Sequence, residues 1–127
     1  MKNLVSIAAV SVFAGLGCSS MVLPARIVAL NVEKVDAPAT VSATSPIDVV
    51  LTVSRGACQT YDRIDAHRTA SGIRLAAIGR DPERGCTDQA IIEPHTYRVT
   101  PPLTAGTFTI TVDGGSLSVL TTTVTVQ

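Results

Sequence analysis

Tryptophan is absent from this chain, and only two tyrosines and two phenylalanines stand among its 127 residues. Without broad aromatic platforms, recognition of sugar rings by stacking is disfavoured. Net charge is absent as well, since ten Lys and Arg balance ten Asp and Glu. Nucleic acid and anionic lipid surfaces both call for a strong basic footprint, so neither is an expected partner. No phosphate-loop, dinucleotide-binding or acyl-transfer signature occurs in the sequence. Nor does any apolar run reach the length that a helix needs to span a bilayer.

What is present begins with Met1-Lys2-Asn3, an apolar or small run over residues 4–16, and then Gly17-Cys18-Ser19-Ser20. One Lys, a short apolar stretch and small residues at a cutting point make a secretory signal peptide. This segment inflates the mean hydropathy of +0.37, which therefore says little about the domain that follows. Gly15-Leu16-Gly17-Cys18 resembles the lipobox of bacterial lipoproteins. That resemblance implies cleavage before Cys18, a lipid on Cys18 as membrane anchor, and a place in the cell envelope. Ser19 after the cysteine, by the same resemblance, implies the outer membrane if the cell is Gram-negative. Gly15 stands where the motif usually carries Leu, and Gly15-x-Gly17 equally suits ordinary signal peptidase, so a periplasmic or secreted protein stays open. The expected division is a signal peptide at 1–17, a tether at 18–25 and one domain at 26–127, roughly a hundred residues and enough for one modest core.

The domain reads as strands throughout. From Arg26 onward Val28, Leu30 and Val32 alternate with Ala29, Asn31 and Glu33, the pattern of one half-buried strand. Residues 37–46 hold Pro38 and Pro46 and read as a loop or irregular edge. Ile47, Val49, Leu51 and Val53 mark a strong strand ending at Arg55-Gly56. Two shorter strands, 63–69 and 73–78, flank a turn at Ala70-Ser71-Gly72, where Gly72 offers positive φ. Helical spacing of Ile73, Ala76, Ala77 and Arg80 keeps a helix open for 73–78, although six residues closed by Gly79 and Pro82 are short for one. Residues 89–100, broken by Pro94, read as an edge strand or two pieces. Phe108, Ile110 and Val112 then lead through Gly114-Gly115 into a return strand, forming a hairpin. Leu117 and Val119 have the opposite parity to Val124 and Val126, so a bulge near Leu120 is expected.

About seven strands and no helix after the signal predict an all-β fold, a single antiparallel β-sandwich. The run Leu103-Thr104-Ala105-Gly106-Thr107-Phe108-Thr109-Ile110-Thr111-Val112 resembles the penultimate strand of bacterial immunoglobulin-like and fibronectin-like modules. The resemblance covers the last quarter of the chain and implies an immunoglobulin-like sandwich, but no particular activity. The chain departs from antibody-type domains, having no Trp and only 27 residues between Cys58 and Cys86.

Three cysteines are an awkward number for an exported protein. Assigning Cys18 to lipid leaves Cys58 and Cys86 as a pair, expected to form a disulfide that stabilises the fold by about 3 to 4 kcal/mol. A metal pair or a nucleophile are the alternatives, but neither His67 nor His95 forms a recognisable motif with either cysteine. Between the cysteines lie Arg63, Arg68, Arg74, Arg80 and Arg84, interleaved with Asp62, Asp65, Asp81 and Glu83. Arg63, His67, Arg68 and Arg74 are the candidate ligand-binding surface, able to clamp a carboxylate, phosphate or acidic glycan. The competing reading is a solvated face whose charges meet locally. His67, His95, Asp62, Asp65, Asp88 and Glu93 are the candidates for a metal, yet only Asp65 and His67 are fixed on one face by spacing, and zinc needs three or four ligands. The expectation is therefore a non-catalytic binding or scaffolding module of the cell envelope with no cofactor, met by the membrane through Cys18 and by an envelope protein. A periplasmic metal- or small-ligand-binding protein using His67, His95 and nearby carboxylates is the alternative.

Overall fold

The computed structural model describes residues 25–82 and 89–127, and every regular element among them is a β-strand. The chain enters through β1 (Arg26–Ala29) and β2 (Asn31–Asp36) and touches a sheet edge at β3 (Thr40–Val41). It then lays down β4 (Ile47–Gly56), β5 (Thr60–Thr69), β6 (Gly72–Asp81) and β7 (Ala90–Val99), and closes with β8 (Gly106–Asp113) and β9 (Leu120–Val126). The larger sheet holds β1, β3, β5, β6, β8 and β9; the smaller has the order β2-β4-β7. Alternation builds the core, because Ile47, Val49, Leu51 and Val53 of β4 all point inward and are fully buried. They join Leu75 of β6, Phe108, Ile110 and Val112 of β8, and Val124 of β9 in one apolar cluster. No polar or charged residue is buried among the described residues, so this interior is held by apolar burial alone. The fold is an all-β, two-sheet β-sandwich.

Several expectations are corrected. The single strand predicted from Arg26 is two, because the chain changes sheets at Leu30: β1 pairs with β6 and β2 with β4. Leu30 is buried, and its amide donates to the Ala77 carbonyl at 2.8 Å. Both sheets look into one core, so the alternation runs through the switch unbroken. That split and the two-residue β3 give nine strands among the described residues, against the expected seven or so. The sandwich is not wholly antiparallel either, since β3 runs parallel to β9 and β6 parallel to β8. As expected, residues 73–78 are strand and 89–100 hold one edge strand, β7, unbroken by Pro94. That proline sits on a sheet edge opposite Thr52, where an absent amide costs little. The bulge expected near Leu120 does not occur. Residues 114–119 form the connection instead, leaving Leu117 and Val119 exposed, and β9 starts at Leu120 in regular register.

β6 is the hub of the larger sheet. β5 pairs along nearly all of it, while on its other edge β8 takes Gly72–Ala76 and β1 takes Ile78–Asp81. Gly72 is required there for a different reason from the positive φ expected of a turn. A Cβ on it would lie 2.5 Å from the Thr109 carbonyl oxygen, so only glycine lets β8 approach. Positive φ occurs instead at Gly106 (122°) and at Gly115 (67°), and beside Gly115 Asn31 Oδ1 accepts from the Ser116 amide at 2.9 Å.

Candidate functional site

The outer face of the larger sheet gathers part of the expected surface. With Ile73, Leu75 and Ala77 pointing inward, Arg74 and Ala76 point out. Arg74 pairs in register with His67 on β5 and with Thr111 on β8. The next rank is Thr69, Gly72 and Thr109, and Thr109 continues to Thr123 on β9. Thr107, Thr109 and Thr111 stand opposite Thr125, Thr123 and Thr121, so hydroxyls cover this side of the sheet. A hollow of about 340 Å³ opens over Gly72, walled by Thr69 and Ser71 on one side and the β8 threonines on the other, with His67 and Arg74 at one end. A second hollow of about 200 Å³ adjoins it, bounded by Asp65, His67, Arg74, Ala76 and Asp113.

Two of the four expected binding residues are used elsewhere. Arg63 donates to Asp65 Oδ1 at 2.7 Å and to Asp62 Oδ2 at 2.6 Å, and these carboxylates, Asp65 foremost, push its pKa upward. Arg68 has the other parity on β5, and its guanidinium donates to the carbonyls of Thr100 at 2.5 Å and Pro102 at 2.8 Å, pinning the connection between β7 and β8. His67 and Arg74 are thus the pair brought together.

The metal candidates are not. His67 faces outward on the larger sheet, whereas His95 belongs to β7 of the smaller one, and no group of three or more His, Cys, Asp or Glu placed to hold a metal occurs among the described residues. Cys18, Cys86 and Asp88, and with them the lipid site and the second half of the expected disulfide, lie outside the described residues. Cys58 sits in the turn between β4 and β5 and is engaged by a partner.

A second cluster escaped sequence reasoning. At the seam where β5 and β7 edge the two sheets, the Tyr61 and His95 rings stack with centroids 3.5 Å apart and 12° between their planes. His95 Nε2 lies 3.1 Å from Glu93 Oε1, although it is misaligned for a directed hydrogen bond. The same carboxylate receives Arg55 Nε at 2.7 Å, and Arg55 Nη1 also donates to the Gln59 carbonyl. The guanidinium, and after it the imidazole, hold the Glu93 carboxyl below its ordinary pKa. Burial, and then the charge of Asp62, push the Tyr61 hydroxyl up. An extra residue in β5 makes this geometry, since the register shifts between Tyr61 and Arg63. With Asp62 bulged, Tyr61 and Ile64 both turn toward the core, where strict alternation would separate them. The three-residue spacing of Tyr61 and Ile64 is the only trace of this in the sequence. The cluster is internally paired and fastens one sheet to the other.

Compared with known proteins, the chain matches no family model, no curated protein and no solved structure.

Proposed function

We propose that this chain is an exported cell-envelope protein, anchored through a lipid on Cys18, whose sandwich is a non-catalytic binding module presenting the outer face of the larger sheet. The observation that carries the reading is the pairing of Arg74 with His67 on that face. Both side chains are exposed, and neither has a polar partner among the described residues. Arg on the central strand of a sheet, bordered by hydroxyls and left without an acid, is placed for an incoming group rather than for its own fold. The runner-up, a metal carrier, loses support because His67 and His95 stand on different sheets.

The sandwich itself we assign to the immunoglobulin-like class. In support, β8 is the penultimate strand and its Phe108 is buried, as the run from Leu103 to Val112 implies. It is a variant, because β6 lies between β5 and β8 and runs parallel to β8.

Two measurements on cells making the full chain test the proposal. An alkyne fatty acid should tag the protein, and Cys18→Ala should abolish the tag while export continues; export of an untagged wild-type chain removes the anchor. A photoreactive side chain at Thr111 should give a discrete adduct in the envelope, whereas one at Thr96, on the outer face of the smaller sheet, should not. Equal labelling at both positions, or none at Thr111, removes the contact face.

A further inference from the structure

We infer that the hollow over Gly72 binds an oxyanion carried on a hydroxylated ligand, with Arg74 as anchor, His67 beside it and the threonine rows receiving the ligand's hydroxyls. This rests on the outer face of the larger sheet being the contact face, and it adds the chemistry of what is bound.

Arg74 is set apart from the other arginines. Arg55 is matched with Glu93, Arg63 with Asp62 and Asp65, Arg80 with Asp62 at 4.0 Å, and Arg98 with Asp48. Arg68 is spent on two carbonyls, and Arg26 is engaged too. Among the described residues, Arg74 alone of the arginines has no such contact. The carboxylates nearest in register do not serve it. Asp65 is held by Arg63, and Asp113 Oδ1 receives the Gly115 amide at 3.0 Å. Opposite Arg74 stands His67, a second group able to carry positive charge. Two such groups directly across a strand pair repel when both are charged, and an anion between them converts that cost into attraction.

The rest of the hollow selects the ligand's body. Gly72 leaves the floor bare, and the Thr109 carbonyl blocks any side chain there. Thr69 Oγ1 donates to the Gly72 carbonyl at 3.3 Å, which fixes one wall hydroxyl with its lone pairs available. Thr107, Thr109 and Thr111 supply the facing wall. Among the described residues no Phe or Tyr lines the hollow, so a ligand is held by its polar edge rather than on a broad aromatic platform. A guanidinium fork suits a planar carboxylate and a tetrahedral phosphate alike, and the two sources are separated by experiment.

The purified full chain in detergent is titrated with D-glucuronate, glucose 6-phosphate and glucose, following amide resonances and heat. Saturable shifts at His67 and Thr109 are expected with at least one charged sugar, and glucose should bind about tenfold or more weakly, the factor lost with a charge-assisted hydrogen bond. Arg74→Gln should weaken the charged ligand by about the same factor while leaving the remaining amide spectrum in place. Thr109→Val should weaken it less. The charged sugar that responds identifies carboxylate or phosphate. No saturable shift with either, or affinity unchanged in Arg74→Gln, overturns the inference. If the Thr111 adduct persists in the envelope while both charged sugars fail, the contact face stands and the oxyanion site falls; if the adduct also fails, both fall.

Discussion

Tyr61 and His95 lie face to face across the seam of the sandwich, one ring from β5 of the larger sheet and the other from β7 of the smaller, 3.5 Å between centroids. No hydrogen-bonded ladder joins β5 to β7. Along this edge the sheets meet through side chains, the Tyr61–His95 stack among them.

The coupling between the two rings is measurable. In a double-mutant cycle with Tyr61→Leu and His95→Leu, urea unfolding should give an interaction energy of about 0.5–1.5 kcal/mol beyond the separate losses of buried area. Additive effects would mean that the rings merely occupy the seam.

Glu93 carries a pH dependence of definite sign. Its folded pKa lies below the ordinary glutamate value of about 4.3, so the folded protein holds the carboxylate more firmly than the unfolded chain does. That stabilisation is fully present above the unfolded pKa and is lost as pH falls through the folded one. Asp48, lowered by its hydrogen bonds from Arg98, behaves alike at the opposite end of β4. Stability measured from pH 7 downward should fall less steeply in Glu93→Gln than in the parent, with the curves differing at neutral pH and converging in acid. Parallel curves would remove Glu93 from the acid response.

Gly72→Ala and Gly56→Ala should separate cleanly. The first sets a methyl 2.5 Å from a backbone oxygen of β8, and forcing β6 from β8 should cost about 1–3 kcal/mol. At Gly56 the same methyl meets only the Gln59 side chain at 3.6 Å, and the change should stay within about 0.5 kcal/mol. Thermal unfolding of the two variants decides it, and equal midpoints would refute the close approach of the parallel pair.

If the chain is exported as proposed, the mature protein should show no thiol at Cys58 or Cys86 to an alkylating reagent until it is reduced. Cys58→Ser should lower its stability by about 2–5 kcal/mol, read by urea titration. A thiol that reacts in the unreduced protein would return Cys58 to consideration as a nucleophile.

Local pattern gave much of this architecture, and pairing gave the rest. Ile47 to Val53 and Phe108 to Val112 were legible as core because a period of two needs no knowledge of the partner strand. The sheet change at Leu30 was not, since its alternation is the same whichever sheet each half joins. His67 and Arg74 could be joined because a hairpin puts near neighbours in sequence opposite one another. Nothing local sets the threonines of β8 beside Gly72: that parallel pairing is non-sequential, with β7 of the other sheet between its strands. Arg55, Glu93 and His95 come together for the same reason, and only the bulge at Asp62 brings Tyr61 over them.

The placement of β1 sets the start of the described domain and the hollow at opposite ends of β6. Arg26 lies opposite Asp81, at the end of β6 farthest from Gly72. Nine residue steps of extended chain separate those two ends, roughly 30 Å at about 3.3 Å each. Under the proposed anchor at Cys18, the tether would therefore join the domain at one end of β6 and the hollow over Gly72 would open near the other, away from the point of attachment.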